Sequence, residues 1–487
     1  MGTEFNQYLN KIGEIGFVEK VVASLVYVDG LPGARSQELV LFEAGGIGWV
    51  NSLYESRVEV LSFSKSTPGV GSRVVRTDRV LEIPVGQGLL GSIINPLVHS
   101  LDPARPVPVL SETRPVDIIP AGINARSRIK SPCETGVSLI DLMIPLGKGQ
   151  RELVIGDQKT GKSRFLLRSL LTQVRQGSIG IYAVIGKSRV AIKQIESFIS
   201  AAKVWDRCVI VAASADDPAN LIFLTPYTAM TIAEYFRDEG QDVLLVLDDL
   251  SVHARAYREI SLLGKRFPGR NSYPGDIFYV QARLLERAGN FKGPRGERAI
   301  TCLPVAETVH GDLTGYIQTN LISMTDGHIF FDYKLFTEGR RPAVDPFLSV
   351  TRVGRQTKLG LRREIGSTLI TFLKNAERVR TFVGFGEEAG EHIRRVIEKE
   401  KRIWYFLDQT AYDTVPGNLQ ILLFGLTWSD LWQNKTKEEI RQAIQRVILS
   451  YERRPESRRR VDDYVGSSRT LKELLERIGE FDFSTQN

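Results

Sequence analysis

Residues Arg151 to Ser163 read RELVIGDQKTGKS: a short apolar run, Leu153 to Ile155, that ends at Gly156 and leads into Gly161, Lys162 and Ser163. Gly156, Gly161, Lys162 and Ser163 stand in the spacing G-x-x-x-x-G-K-[ST], and Phe165 to Val174 behind them has the apolar period of a helix. A strand that turns through glycines into a helix N-terminus is the context a phosphate-binding loop needs. The glycines let backbone N–H groups curl around phosphate oxygens, and the helix end adds positive potential. Lys162 neutralises charge, and the Ser163 hydroxyl can ligate magnesium. Asp157, Gln158, Lys159 and Thr160 fill the loop, where Lys159 adds a second cation. The plainer reading is an ordinary strand-to-helix turn, which would require none of these side chains.

Similar apolar runs follow, Ile179 to Ile185, Cys208 to Ala213 and Val243 to Leu247, each separated from the next by longer helical stretches. That alternation is the signature of a parallel sheet with crossover helices. Val243 to Leu247 ends in Asp248 and Asp249, where a carboxylate is expected to hold magnesium through water. Hydrolysis would also need a group that orients the attacking water, usually a carboxylate or amide at the end of an adjacent strand. Here that strand runs into Gly186, Lys187, Ser188 and Arg189, and a charged lysine offers donors only. Glu307, after Thr301 to Ala306, could touch the magnesium shell through water and is the one carboxylate left as a substitute base.

Three parts are expected. Between Phe17 and Ile83 short strand-like runs (Val18 to Val28, Leu39 to Phe42, Val58 to Phe63) alternate with glycine turns, which reads as a small β-barrel or sandwich. Beyond Gly360 helix-compatible segments dominate: Gly384 to Phe406, Leu419 to Trp432, Lys437 to Tyr451 and Leu471 to Ile478. The expected fold is multi-domain α/β: an N-terminal β-barrel (1–82), a central RecA-like P-loop nucleotide-binding domain with a parallel sheet (83–358) and a C-terminal α-helical domain (359–487). A chain of 487 residues is long enough for that division.

Composition excludes several classes. Apolar residues at 42% and charged residues at 25% argue against wholesale disorder and against a membrane-embedded chain. The 64 Lys plus Arg against 57 Asp plus Glu leave only +7, which makes no demand for nucleic acid. The densest basic run, Arg453, Arg454, Arg458, Arg459 and Arg460, lies in a helical pattern and reads as a solvated face. Cys133, Cys208 and Cys302 have no paired spacing, and the five histidines fall in no ligand spacing. No apolar run approaches the length of a membrane span, so any membrane link runs through partners.

With these residues in view, the stretch Tyr273 to Ala288, YPGDIFYVQARLLERA, resembles the alpha subunit of F-type ATP synthases. EYFRDEGQDVLLVLDDLS (Glu234 to Ser251), TNLISMTDGHIF (Thr319 to Phe330) and RPAVDPFLSVTRVG (Arg341 to Gly354) occur in that family's order. Related hexameric motors share the phosphate loop and an LLERAG-like helix. The flanking words point to alpha, since the catalytic beta subunit would show Gly-Glu-Arg where this chain has Gly186, Lys187 and Ser188. The resemblance implies an alternating hexamer with beta subunits around a central-stalk gamma subunit, together with a peripheral-stalk subunit. It also implies an alpha site that holds ATP (or ADP) with Mg2+ without turning it over. Arg352 matches the family's arginine that reaches across the interface to the phosphates at the beta site, an arginine finger. The adenine pocket maps onto Arg341, Pro342 and Leu407 to Tyr412, with Gln409 at one of two glutamine positions and Ala411 at the other.

Three departures stand out. Gln158 and Lys159 replace the usual Arg-Gln pair, Lys187 replaces a glutamine, and only about sixteen residues precede the first barrel strand, fewer than in typical alpha subunits. A lysine near the terminal phosphate would strengthen ground-state binding, and a short arm would alter the peripheral-stalk contact. The resemblance places the chain on the cytoplasmic face of an energy-transducing membrane, as a peripheral component attached through the ion-translocating sector. Two other readings stay open: a paralogue in a specialised rotary ATPase, and a Rho-like hexameric RNA translocase, which shares a barrel and the same core.

Overall fold

Six short strands rich in valine close on themselves at the N-terminal end of a computed structural model that describes residues 2–63, 68–358, 360–383, 391–409 and 414–481. In barrel order they are Gly16–Val22, Leu25–Asp29, Val58–Ser62, Ile47–Leu53, Glu38–Phe42 and Arg73–Val80. Val18, Val26, Val28, Val40, Val50, Val58, Val60 and Val74 fill the interior. Branched residues suit the pleated, curved surface, and closure leaves no exposed edge. The run Val18 to Val28 is two strands, because Ala23 takes a left-handed φ of 51° and turns the chain into a hairpin. The preceding helix Gly2–Ile12 buries Phe5, over which the Arg73 guanidinium sits at 5.9 Å.

The chain divides into two compact units: 1–127 with 177–307 and 313–325, and 128–176 with 308–312 and 326–487. The first unit contains the barrel and a parallel sheet in the order Cys208–Ser214, Ile179–Lys187, Val243–Asp248, Gly296–Glu307. Every residue of Val243–Asp248 is buried, as a strand covered on both faces requires. The helix Ala219–Asp238 covers this sheet and is buried over most of its length, and Leu250–Leu263 packs beside it.

The second unit contains Glu152–Gly156 paired in parallel with Gly327–Phe331, whose other edge takes the short antiparallel strand Val350–Thr351. The helix Lys162–Arg175 follows, with Phe165 against Phe331 at 5.8 Å between ring centres. The C-terminal helices of this unit are Leu361–Val383, Glu391–Leu407, Gly417–Trp428, Lys437–Arg453, Pro455–Ser467 and Leu471–Glu476. Gly417–Trp428 is apolar on all sides and forms the centre, with Leu419 to Thr427 buried throughout. A capping box, Thr436 with Glu439, starts Lys437–Arg453. The basic run lies at the junction of the next two helices and is exposed, as a solvated face should be. The three cysteines are buried and form no disulfide. Among the described residues no helix is long and apolar enough to cross a membrane.

Candidate functional site

In the second unit the segment after Glu152–Gly156 has the form of a phosphate loop. Lys159 and Gly161 take left-handed φ values of 63° and 102°, the kind of turn by which a loop can aim backbone N–H groups at an anion. Lys162 Nζ donates to the Gly156 and Asp157 carbonyls at 2.7 and 2.6 Å, folding its ammonium over the loop. Thr160 Oγ1 donates to the Asp157 carbonyl at 2.7 Å. Gly156 is required sterically, since a Cβ there would lie 2.2 Å from the Phe331 carbonyl oxygen. Helix Lys162–Arg175 opens with no acidic residue in its first turn and no side-chain cap, and Gln158, Lys159 and Ser163 are exposed at its mouth. An uncapped, acid-free helix start with lysines beside it fits a phosphate.

The loop is anchored by residues that the sequence did not single out. The Asp157 carboxylate accepts from Thr308 Oγ1 at 2.5 Å and from Gly311 N at 2.9 and 3.1 Å, while Thr308 N donates to the Gly156 carbonyl. An acid inside a phosphate loop is a cue that it is tethered elsewhere, but its partners lie some 150 residues away in the chain.

Arg341 and Gln409 meet in this unit: Gln409 N donates to the Arg341 carbonyl at 2.7 Å. The Arg341 guanidinium stacks over Phe336 at 3.8 Å and donates to the Phe336 and Arg340 carbonyls, and the half-buried Pro342 follows. Gln409 is buried, its Oε1 accepting from Ser138 N at 2.6 Å and its Nε2 donating to the Gly136 carbonyl at 3.1 Å. Its amide therefore ties the end of helix Glu391–Leu407 to the turn before Ser138. Ala411 and Tyr412 lie outside the described residues.

Arg352 is exposed directly after strand Val350–Thr351. Its backbone N donates to the Asp326 carbonyl at 3.0 Å, and the Asp326 carboxylate is gripped by Arg151 through N, Nε and Nη2. Thr351 Oγ1 donates to the Pro145 carbonyl at 2.9 Å, and Gly354 passes so close to that oxygen that a Cβ would meet it at 1.6 Å. Arg352 thus sits in a turn held by these hydrogen bonds. Asp326, beside Gly327, is a structural hub.

In the first unit, parallel pairing brings Lys187, Asp248, Asp249 and Glu307 to one end of the sheet. Lys187 Nζ lies 2.6 Å from Asp248 Oδ1, and Asp248 Oδ2 accepts from Tyr182 Oη at 2.8 Å. Burial alone would lower the Lys187 ammonium, but the Asp248, Asp249 and Glu307 charges raise it above its ordinary value. Burial, then Glu307 and Asp248, push Asp249 up to about 7, and its Oδ1 caps helix Leu250–Leu263 by accepting from Val252 N at 2.7 Å. Glu307 is fixed by its backbone, with N donating to Ser251 Oγ and O accepting from Gln318 Nε2. Tyr182 belongs to an apolar run with nothing local to mark it; the register of the two strands aims it at Asp248.

Residues 136–351 match the ATP synthase alpha/beta family, nucleotide-binding domain. The chain is 37% identical to the ATP synthase subunit alpha 2 of Syntrophotalea carbinolica over 95% of its own length and 88% of the relative's. It is 39% identical to the ATP synthase subunit alpha of Aquifex aeolicus over 85% of this chain and 82% of that one, and 38% identical to that of Staphylococcus aureus (strain Newman) over 85% and 83%. With a closed N-terminal barrel, a parallel-sheet nucleotide-binding core and C-terminal helices in the same order, the chain belongs to the F-type ATP synthase alpha-subunit family.

Proposed function

We propose that this chain is the non-catalytic alpha subunit of a rotary ATP synthase, holding Mg-ATP or Mg-ADP in its own site and presenting Arg352 to the catalytic site of a neighbouring beta subunit. The observation that carries the reading is the state of the strand end at Lys187: the side chain there is an ammonium engaged with Asp248 at 2.6 Å, and a charged ammonium cannot accept a proton from water. The phosphate would rest on Gly156 to Ser163, with Lys162 and Lys159 supplying charge. Lys187 would add charge from the strand end. Ser163 would ligate magnesium, with Asp248 and Glu307 acting through water, and bound magnesium would draw charge off the phosphates. Arg341 and Pro342 would flank the base, and Gln409 would hold the wall behind it.

The division 1–82, 83–358 and 359–487 is retained as the functional one: barrel, nucleotide domain and helical domain. In the assembly, beta subunits would alternate with this chain around a gamma shaft, with a peripheral stalk above and the ion-translocating sector as the link to the membrane, on its cytoplasmic face. The relative named subunit alpha 2 favours a second reading, a paralogue serving a specialised rotary complex with the same chemistry. The RNA-translocase reading finds no support in the family assignment.

Reconstitution with a beta partner tests the assignment. Arg352→Lys keeps the charge and removes the planar fork, and multisite ATP turnover should fall by about 10³-fold. Normal turnover in that variant would refute the finger. Steady hydrolysis by this chain alone would refute the non-catalytic assignment and point to Glu307 as base.

A further inference from the structure

Each oxygen of Asp248 faces a group of its own unit: Oδ1 lies 2.6 Å from Lys187 Nζ in an ion pair, and Oδ2 accepts from Tyr182 Oη at 2.8 Å. The carboxylate is 1% exposed and the lysine side chain 22%, so solvent reaches the pair only from the lysine side. Asp249 and Glu307 add further negative charge, and the same lysine is the cation that both strand ends share. Register explains the reach: Val184 pairs with Asp248, so the chain runs three residues past that level before Lys187 folds back over the strand end.

A divalent ion acts at such a carboxylate by bringing positive charge and by ordering water against its lone pairs. Here an ammonium already supplies charge at that position, and a metal-bound water would have to share the buried Oδ1 with it. We propose that Lys187 is a resident cation that takes over part of magnesium's electrostatic task at Asp248, so that nucleotide binding by this chain depends only weakly on magnesium. The inference rests on the nucleotide site proposed above. It assigns Lys187 a positioning role toward Asp248 in addition to any contact with phosphate. A glutamine at 187 would offer Asp248 an amide donor but no charge, and magnesium would then be needed to offset the carboxylates.

Calorimetric titration of the full chain with a non-hydrolysable ATP analogue, in magnesium and in EDTA, measures the ratio of the two dissociation constants. Wild type should show a ratio within about threefold, Lys187→Gln should raise it by about tenfold or more, the scale of one charged hydrogen bond, and Lys187→Arg should keep it low. A large ratio in wild type overturns the proposal whether or not any variant folds. A small ratio that Lys187→Gln leaves unchanged, with its melting curve intact, overturns it as well. A wild-type chain that binds the analogue in neither buffer removes the nucleotide site itself, a failure distinct from the other two.

Discussion

The phosphate loop and the strand-end carboxylates are built on opposite principles. The loop holds its shape through its own backbone: Gly156, Lys159 and Gly161 set the turn, and Lys162 binds the carbonyls it has just left. The Asp248 cluster holds its shape through side chains from separate strands, with Tyr182 and Lys187 of one closing on Asp248 of the next. A backbone device tolerates side-chain exchange but not added bulk, whereas a side-chain device fails when one donor is lost. That asymmetry gives a graded set of expected effects.

The largest falls on the backbone side. Gly156→Ala places a methyl 2.2 Å from the Phe331 carbonyl oxygen, which must force apart the parallel pair Glu152–Gly156 and Gly327–Phe331. We expect a loss of about 3 kcal/mol in chemical denaturation, the upper range for overpacking, and loss of nucleotide binding by calorimetry. A stable variant that still binds would show that the loop is far more plastic than its geometry suggests.

The next effect follows pH. His253 lies on the helix that Asp249 caps, fully buried and stacked on Phe223 at 4.9 Å, and burial lowers its pKa to about 3. The fold accepts only the neutral ring, so the stability tied to this residue is complete above the unfolded value near 6.5 and is lost as pH falls toward about 3. At pH 5 the loss should reach about 2 kcal/mol relative to neutral pH. His253→Phe should flatten that slope in denaturation curves between pH 7 and 5; an unchanged slope would assign the acid sensitivity elsewhere.

Tyr182→Phe tests the side-chain device directly. It removes the 2.8 Å donor from a buried carboxylate, at a cost of roughly 1.5 kcal/mol in denaturant melts. If stability is unchanged, Lys187 alone satisfies Asp248.

The same asymmetry governs what could be read from sequence. The loop was legible because its spacing is local, within Gly156 to Ser163, and the parallel strands because runs such as Val243 to Leu247 are continuous and apolar. The barrel was legible from its turns, although the hairpin at Ala23 sits inside a strand-like run with no glycine to mark it. Partnerships across strands were not legible. Lys187 was expected near a phosphate, but nothing in the order of residues says that its ammonium bonds Asp248 at 2.6 Å. Gln409 looked like a reader of the base, yet Gly136 and Ser138, some 270 residues earlier, take both ends of its amide. Such pairings depend on register and loop path, which the local pattern does not encode.

The smallest effect probes the loop's side-chain tether to a distant part of the chain, through Asp157. Thr308 Oγ1 donates to Asp157 Oδ1 from a buried position, while Gly311 N holds the same carboxylate from its backbone. Thr308→Val keeps the shape and deletes the hydroxyl, so Asp157 retains Gly311 and loses one charge-assisted bond. Stability should drop by about 1 kcal/mol, with nucleotide affinity weakened about threefold through a looser loop. Asp157→Asn would keep the size and lower the charge, and should give a similar loss. If Thr308→Val weakens binding as severely as Gly156→Ala, the tether and not the backbone sets the loop, and the contrast drawn between the two regions collapses into one mechanism.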